Sequence, residues 1–231
     1  MKRLIKVITP ALFFCTLAGC AGYVNHSDNL AREHLRTHTY SSSDVVSYVK
    51  YNCAEDYMCE RHPRFNKNIN DDILELERRV PGSSIKTFDV EGLKGFLLEL
   101  NHPVQTFDYG DDKLSEKLKL AMAGIAKSLV GSEYTYKEVV VVGHASYDDE
   151  SSRAKSANII ESINRAKHAA NYLAVSLAEY GSSKKANNFI KSQGAGDKYA
   201  TISKLIGKQG PSKYKKQDQR TDIVFILDQG R

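Results

Sequence analysis

A run of four valines at 139–142 ends in Gly143-His144, and the chain continues through a polar, acidic segment at 145–157. Uninterrupted β-branched residues are typical of a strand buried on both faces, as an interior strand of a sheet is. A helix is predicted to begin at Asn158 and to carry Arg165. A buried strand, a polar loop and a helix N-terminus in this order predict a small polar site between strand and helix.

Strands and helices alternate on either side of the valine strand. Upstream, the pattern predicts a strand over 104–109 and an amphipathic helix that ends at Gly131. Downstream, it predicts a second long helix ending at Gly181, then strands over 188–193 and 223–227. This β-α-β-α-β-β order predicts an α+β domain over 103–231, with two helices on one face of a mixed sheet.

Residues 30–100 are less regular. We predict a helix over 73–80, a strand over 87–90 and a short helix over 91–100, while 45–49 is either a strand or a helical turn. No cluster of residues in this range indicates catalysis. The range is therefore predicted to be a small N-terminal docking or spacer region, stapled by one disulfide.

Residues 1–19 are predicted to be a lipoprotein signal peptide. A basic start precedes an apolar segment over 7–17 that is too short to span a bilayer. The segment ends in LAGC at 17–20, which resembles the bacterial lipobox, whose cysteine is acylated and becomes the new N-terminus. The resemblance implies lipidation of Cys20 and a tether over 20–29. Ala21 after the anchor resembles the outer-membrane sorting signal, which implies a lipid-anchored protein of the outer membrane that faces the periplasm.

Two cysteines remain once Cys15 leaves with the signal and Cys20 carries lipid. An even pair in an oxidising compartment predicts a Cys53–Cys59 disulfide, which would contribute about 2 kcal/mol through chain entropy. A Cys2His2 metal site is the alternative. It would draw on nearby histidines, namely His34, His38 and His62.

The composition is that of a globular protein and gives no indication of nucleic-acid binding. Of the 231 residues, 41% are apolar and 26% are charged, which are values of a globular protein. The formal net charge is +5, from 33 basic and 28 acidic residues. Without the three basic residues of the signal peptide it falls to +2, so no nucleic-acid partner is predicted.

No enzymatic signature is present. The chain has no nucleophile–base motif, no phosphate loop and no metal-ligand spacing beyond the cysteine and histidine set above. His144, Ser146 and Asp148 are the residue types of a catalytic triad, but neighbours along one loop rarely reach the geometry that a triad requires. We therefore predict a protein that is not an enzyme and that uses no cofactor.

Three partial motifs between Pro103 and the C-terminus resemble the OmpA-like C-terminal domain, which occurs in peptidoglycan-associated lipoproteins and in flagellar-motor and secretion-system subunits. The family's Gly-His-Thr-Asp after a strand is GHAS at 143–146. Its Asn-Arg-Arg-Val-Glu before the last strand is DQRTD at 218–222, which retains Arg220. Its helix start, Asn-x-x-Leu-Ser-x-x-Arg-Ala, is matched with Glu161 in place of leucine, through Asn158, Ser162, Arg165 and Ala166.

In that family, the loop aspartate and the helix arginine grip the diaminopimelate of the peptidoglycan stem peptide. The resemblance implies that Arg165 takes the ligand's carboxylate, for which its planar fork is suited. Ser146 stands where the family has the aspartate and carries no charge. The loop is longer than in the family, and an acidic residue within it either replaces the missing charge or is simply solvated. The implied peptidoglycan-binding set is Ser146, Asp148, Asp149, Asn158 and Arg165.

The resemblance implies two functions. In the first, an outer-membrane lipoprotein links the membrane to the peptidoglycan layer non-covalently, through an altered ligand site. In the second, the chain is a structural subunit of an envelope-spanning machine, such as a secretion or conjugation core complex or a motor. Its OmpA-like domain would then dock on other envelope proteins, with residues 30–100 as a further docking element. Arg220 either braces the loop or touches the ligand, and His144 is expected to have a structural role.

Overall fold

The computed structural model describes residues 43–53, 65, 67–100, 106–108, 110–130, 132, 135–148, 151–182, 189–200 and 215–228. Within these residues, the helices are α1 (Ser43–Cys53), α2 (Lys67–Arg79), α3 (Glu116–Leu129) and α4 (Ser152–Glu179). The strands are β1 (Ser84–Val90), β2 (Leu93–Glu99), β3 (Tyr136–Gly143), β4 (Ile190–Gly194) and β5 (Thr221–Leu227). A short 3-10 helix over Lys216–Asp218 leads into β5.

The five strands form one mixed sheet in the order β1-β2-β5-β3-β4. β3 and β4 are parallel and are connected through α4, whereas the other neighbouring pairs are antiparallel. The valine strand therefore lies inside the sheet, between β5 and β4. The predicted α+β class with a mixed sheet is confirmed.

The valine run contributes to two separate cores because successive side chains of a strand point to opposite faces. Val139 and Val141 pack with the apolar sides of α2, α3 and α4. Val140 and Val142 face the other side of the sheet, where α1 and Tyr199 cover them. All four valines are fully buried or nearly so, and each contributes roughly 1.5–3 kcal/mol by leaving water.

Two glycines let α4 approach the ends of β3 and β4. A Cβ atom at Gly143 would lie 2.0 Å from the carbonyl oxygen of Ser162, and one at Gly194 would lie 2.5 Å from the side chain of Ile163. Neither position has room for a side chain. This close contact brings the middle of α4 against the loop that follows β3, and it positions the polar site.

Helix α1 winds in the left-handed sense. Residues 45–52 all have positive φ, between 39° and 58°. For L-residues other than glycine this conformation costs roughly 1–2 kcal/mol per residue. Its Val45, Tyr48 and Val49 side chains are buried against the sheet.

The helix predicted over 91–100 is wrong, because these residues form β2. Glu91 and Gly92 have positive φ and make a two-residue hairpin turn from β1 into β2. β2 lies between β1 and β5 and is buried on both faces, so its apolar residues show no alternation of period two. Without that alternation, the leucine and phenylalanine spacing resembles one face of a helix.

The strand predicted over 104–109 is also wrong, insofar as it is described. Residues 106–108 are not in a strand, and the place beside β5 belongs to β2. The β1–β2 hairpin comes from the range 30–100. That range therefore contributes two strands to the sheet, and the sheet does not begin at Pro103.

Helix α4 begins six residues earlier than predicted, with Ser151 as its N-cap. The segment 152–157 is polar and largely exposed, so it shows no apolar period that would mark it as helical. Asn158 and Arg165 consequently lie within the helix. The predicted contribution of a helix N-terminus at Arg165 is wrong, since that effect is confined to the first turn.

Several predictions lie outside the described residues. They concern the signal peptide, the tether over 20–29, Asp149, and the side chains of the lipid anchor Cys20, of Cys59, and of His34, His38 and His62. The backbone of Cys53 ends α1, but its side chain is not described, so the Cys53–Cys59 disulfide stays a prediction. Among the described helices, none combines the length and the apolar character that a membrane crossing requires.

Candidate functional site

Arg165 is fully buried, and backbone carbonyls hold its guanidinium. Its Nε donates to the carbonyl oxygen of Asp111 at 2.9 Å, and one terminal nitrogen donates to that of His144 at 2.8 Å. The other terminal nitrogen lies 3.5 Å from the carbonyl oxygen of Asp108. The guanidinium carbon also lies 5.2 Å from the centre of the Phe107 ring. The loop after β3 and the segment before α3 thus fix the orientation of this cation.

The charged partner of Arg165 is Glu161, one turn earlier in α4. Glu161 Oε2 accepts a hydrogen bond from Arg165 at 3.2 Å, and the Glu161 side chain is 32% exposed. Burial raises the pKa of Glu161 even though Arg165 opposes this shift, and nearby Asp148 and Asp112 raise it further. Burial likewise lowers the pKa of Arg165. An arginine nonetheless stays protonated in proteins, so the site holds a charged pair.

The other described members of the predicted binding set also have partners within the chain. Ser146 is buried, and its Oγ accepts a hydrogen bond from Gln219 at 2.9 Å. Asn158 is buried and donates to Asp197 at 3.1 Å.

Asp148 lies in the loop after β3, with an oxygen 3.8 Å from the Lys215 ammonium. Its negative charge opposes the lowering of the Arg165 pKa and adds to the raising of the Glu161 pKa. The structure therefore pairs Arg165 with Glu161 and Asp148 with Lys215, while Ser146 and Asn158 serve as internal braces.

A second buried polar cluster surrounds Asp222, the last residue of the DQRTD motif, for which no role was predicted. One carboxylate oxygen accepts hydrogen bonds from the Tyr48 hydroxyl at 2.6 Å and from Arg220 Nε at 3.1 Å. The same oxygen lies 3.0 Å from His144 Nε2. The second oxygen accepts from the backbone N–H of Leu100 at 3.2 Å. The available signal was an acidic residue at the start of the apolar strand β5.

These contacts determine the protonation states of Asp222 and His144. Burial alone would raise the pKa of Asp222, but Arg220, His144 and Tyr48 together hold it well below its usual range. Burial and the neighbouring Arg220 lower the pKa of His144, so this imidazole is neutral near pH 7. Arg220 also donates to the carbonyl oxygen of Gln217 at 3.2 Å, and it thereby braces the segment that enters β5.

His144 joins the two clusters through its backbone and its ring. Its carbonyl oxygen accepts from Arg165, its N–H donates to the carbonyl oxygen of Arg220 at 2.8 Å, and its ring faces Asp222. A structural role is consistent with these contacts. The three residue types of a triad do not assemble, since His144 faces Asp222, Ser146 pairs with Gln219 and Asp148 lies beside Lys215.

Replacing His144 with glutamine is expected to flatten the dependence of stability on pH. In the wild type, the folded-state pKa of His144 is lowered, so below about pH 6.5 the unfolded chain takes up a proton that the folded chain refuses. Stability then falls with decreasing pH by up to about 1.4 kcal/mol per pH unit, until the folded pKa is reached. Urea unfolding at several values between pH 7 and pH 5 measures this slope.

The matched control is His168→Gln, because His168 lies on α4 and is 48% exposed. We expect this variant to retain the wild-type slope. A His144→Gln protein with an unchanged slope would show that another group titrates in this range.

Comparisons with known proteins return similarities of fold. The chain is similar to the cell wall anchor of the T6SS from Pseudomonas aeruginosa, at 15% identity and a TM-score of 0.43, over 73% of this chain and 100% of that one. It is similar to the OmpA-like domain of FopA1 from Francisella tularensis, at 19% identity and a TM-score of 0.39, over 63% and 84%. It is also similar to a putative MotB-like protein from Desulfovibrio vulgaris, at 13% identity and a TM-score of 0.46, over 75% and 98%.

No family model matches the sequence, and no curated protein matches it. At the identities and TM-scores above, similarity does not carry a function from those structures to this chain. Among the residues that the structure describes, no three His, Cys, Asp or Glu side chains form a group able to hold a metal ion.

Proposed function

We propose that this chain is a lipid-anchored protein of the bacterial outer membrane that holds the peptidoglycan layer through its OmpA-like domain. Lipid at Cys20 attaches the N-terminal end of the mature protein to the membrane. In the OmpA-like domain, Arg165 binds the carboxylate of the stem peptide. The protein then staples the two layers together non-covalently and catalyses no reaction.

The observation that carries this proposal is the setting of Arg165. Backbone carbonyls orient its guanidinium, and the carboxylate that it binds belongs to a side chain that is still one-third exposed. A preformed arginine fork with a carboxylate at its solvent side is the arrangement that binds a ligand carboxylate. Charge-assisted hydrogen bonds of this kind contribute roughly 1.5–3 kcal/mol each.

Asp148 takes the place of the loop aspartate that the resembled family has and this chain lacks. A stem-peptide head group carries an ammonium beside its carboxylate, and it needs a negative partner. Asp148 is 24% exposed and acts electrostatically on Arg165, so it supplies that charge from the loop after β3. Lys215 competes with the ligand's ammonium for the Asp148 carboxylate. The site differs from that of the resembled family in this respect.

A second candidate function is favoured by the internal pairing of the site. Arg165, Ser146, Asn158 and Asp148 each have a partner within the chain. If those contacts persist in the cell, the domain is a structural subunit of an envelope-spanning machine that docks on other envelope proteins. Crosslinking in intact cells separates the two functions, since only the second yields stoichiometric protein partners.

Sedimentation with purified sacculi tests peptidoglycan binding. We expect the full-length protein in detergent to sediment with sacculi, and the Arg165→Lys variant to sediment at least tenfold less. Lysine keeps the positive charge, but its ammonium cannot make the two parallel hydrogen bonds that a planar guanidinium makes to a carboxylate. Circular dichroism verifies that the variant is folded.

The matched control is Arg153→Lys, because Arg153 is an exposed arginine in the first turn of the same helix. It should sediment like the wild type. Equal sedimentation of wild type and Arg165→Lys would reject Arg165 as the binding residue. Absence of sedimentation for every protein would reject peptidoglycan binding and leave the docking function.

A further inference from the structure

We propose that Glu161 occupies, in the free protein, the position on Arg165 that the ligand's carboxylate takes in the complex. This inference rests on the proposed function and adds a specific regulator to it. Glu161 is an internal competitor, and its displacement opens the site. The position carries leucine in the family that the motifs resemble, so the competitor is a property of this chain.

The contacts of Arg165 divide into fixed and movable ones. Three are backbone carbonyls, which leave only if the loops that carry them move. The fourth is the Glu161 carboxylate at the end of a rotatable side chain, 32% exposed. Rotation of that one side chain towards water uncovers a terminal nitrogen of Arg165. The face that Glu161 covers is therefore the face that a ligand reaches first.

A buried guanidinium does not stay without a counter-ion, because an uncompensated charge inside a protein costs several kcal/mol. Glu161 therefore leaves only in exchange for another carboxylate. That requirement selects the ligand class. A neutral sugar or an amide cannot displace Glu161, whereas an amino acid head group can.

The surrounding charges favour a zwitterion over a simple anion. Arg165 binds the carbonyl oxygens of Asp111 and His144, and the same two segments carry the carboxylates of Asp112 and Asp148. Their charges also raise the pKa of Glu161. Once displaced, Glu161 joins them as a third negative group around the arginine. A ligand whose carboxylate replaces Glu161 and whose ammonium meets these acids neutralises both sides of the site. The α-amino acid end of a diaminopimelate residue has this pattern.

Substitution of Glu161 by glutamine is the direct experiment. Glutamine keeps the shape and an acceptor oxygen but loses the charge, so it competes less well for Arg165. We expect full-length Glu161→Gln to bind purified sacculi at least tenfold more tightly than the wild type. The gain should vanish in the double variant Glu161→Gln/Arg165→Lys. Free meso-diaminopimelic acid should compete with sacculi for the glutamine variant, and glycerol should not.

Two further variants keep the test decisive. Glu161→Asp retains the charge but is one methylene shorter, so it should fold normally and still bind sacculi more tightly than the wild type. Glu179→Gln removes a carboxylate from the exposed end of the same helix and should bind like the wild type.

The outcomes separate this inference from the proposed function. If the wild type binds sacculi and neither Glu161 variant binds more tightly, the competitor role is wrong and peptidoglycan anchoring stands. If neither the wild type nor any folded variant binds, the anchoring function itself is wrong. If only the Glu161 variants bind, and only with Arg165 intact, Glu161 controls the site as proposed. Weaker binding by Glu161→Gln would make Glu161 a ligand contact and overturn the inference.

Discussion

Replacing Arg165 with methionine should lower the free energy of unfolding by about 3–5 kcal/mol, because two hydrogen bonds from a buried charged donor, worth roughly 1.5–3 kcal/mol each, are lost. Methionine fills much of the space but donates no hydrogen bond. The carbonyl oxygens of Asp111 and His144 then lose their partner, and Glu161 loses its cation. Urea unfolding monitored by circular dichroism measures the loss, and the expected change lies in the midpoint rather than in the slope.

Arg153→Met is the matched control for this change. Arg153 is exposed on the same helix, and such substitutions usually change stability by no more than about 0.5 kcal/mol. A loss below about 1 kcal/mol for Arg165→Met would mean that water replaces the guanidinium at the loop carbonyls. Arg165 would then not be the group that holds these two segments in place.

Replacing Asp222 with asparagine is expected to cost a comparable amount, about 3–5 kcal/mol at pH 7. Asparagine is isosteric and still accepts from Tyr48 or Leu100, but it removes the carboxylate that Arg220 Nε contacts. The buried Arg220 then keeps Asp218, at 3.8 Å, and loses its nearer acidic partner. Thermal and urea unfolding both report this loss. Asp228→Asn, at the end of β5, is a control in the same part of the chain.

The pH dependence of the Asp222→Asn effect identifies its cause. The folded-state pKa of Asp222 is lowered, so its contribution is complete above the unfolded pKa of about 3.9 and is lost as the pH falls below it. The difference in stability between the wild type and the variant should therefore be constant above about pH 4 and should shrink progressively as the pH falls further, towards the lowered pKa of the folded state. A difference that is independent of pH would indicate a packing defect instead of a lost charge.

Local sequence patterns predicted the helices and strands whose burial is regular along their whole length. The valine run predicted β3 as an interior strand, and the apolar spacing that precedes Gly131 predicted α3. Patterns failed for β2, because a strand buried on both faces has no alternation. They also failed for the first turns of α4, because an exposed polar helix has no apolar face. In the first case other elements bury both faces of the strand, and in the second case no element covers the start of the helix.

The sequence by itself determined the chemical inventory of the site: an arginine on the helix after the valine strand, an acidic loop before it, and a serine and a glutamate where the resembled family has an aspartate and a leucine. Only the tertiary structure decided which of these groups meet. The Glu161–Arg165 pair is the exception, because its i,i+4 spacing on one helix is local. The contact of that helix with the sheet at Gly143 and Gly194 is what brings the loop carbonyls to Arg165. Asp222 accepts hydrogen bonds from Tyr48, Leu100 and Arg220 and lies beside the His144 ring. Of these residues, only Arg220 is near Asp222 in the sequence. Charge pairing depends on distance in space, and the distances were set by packing that no local pattern contains.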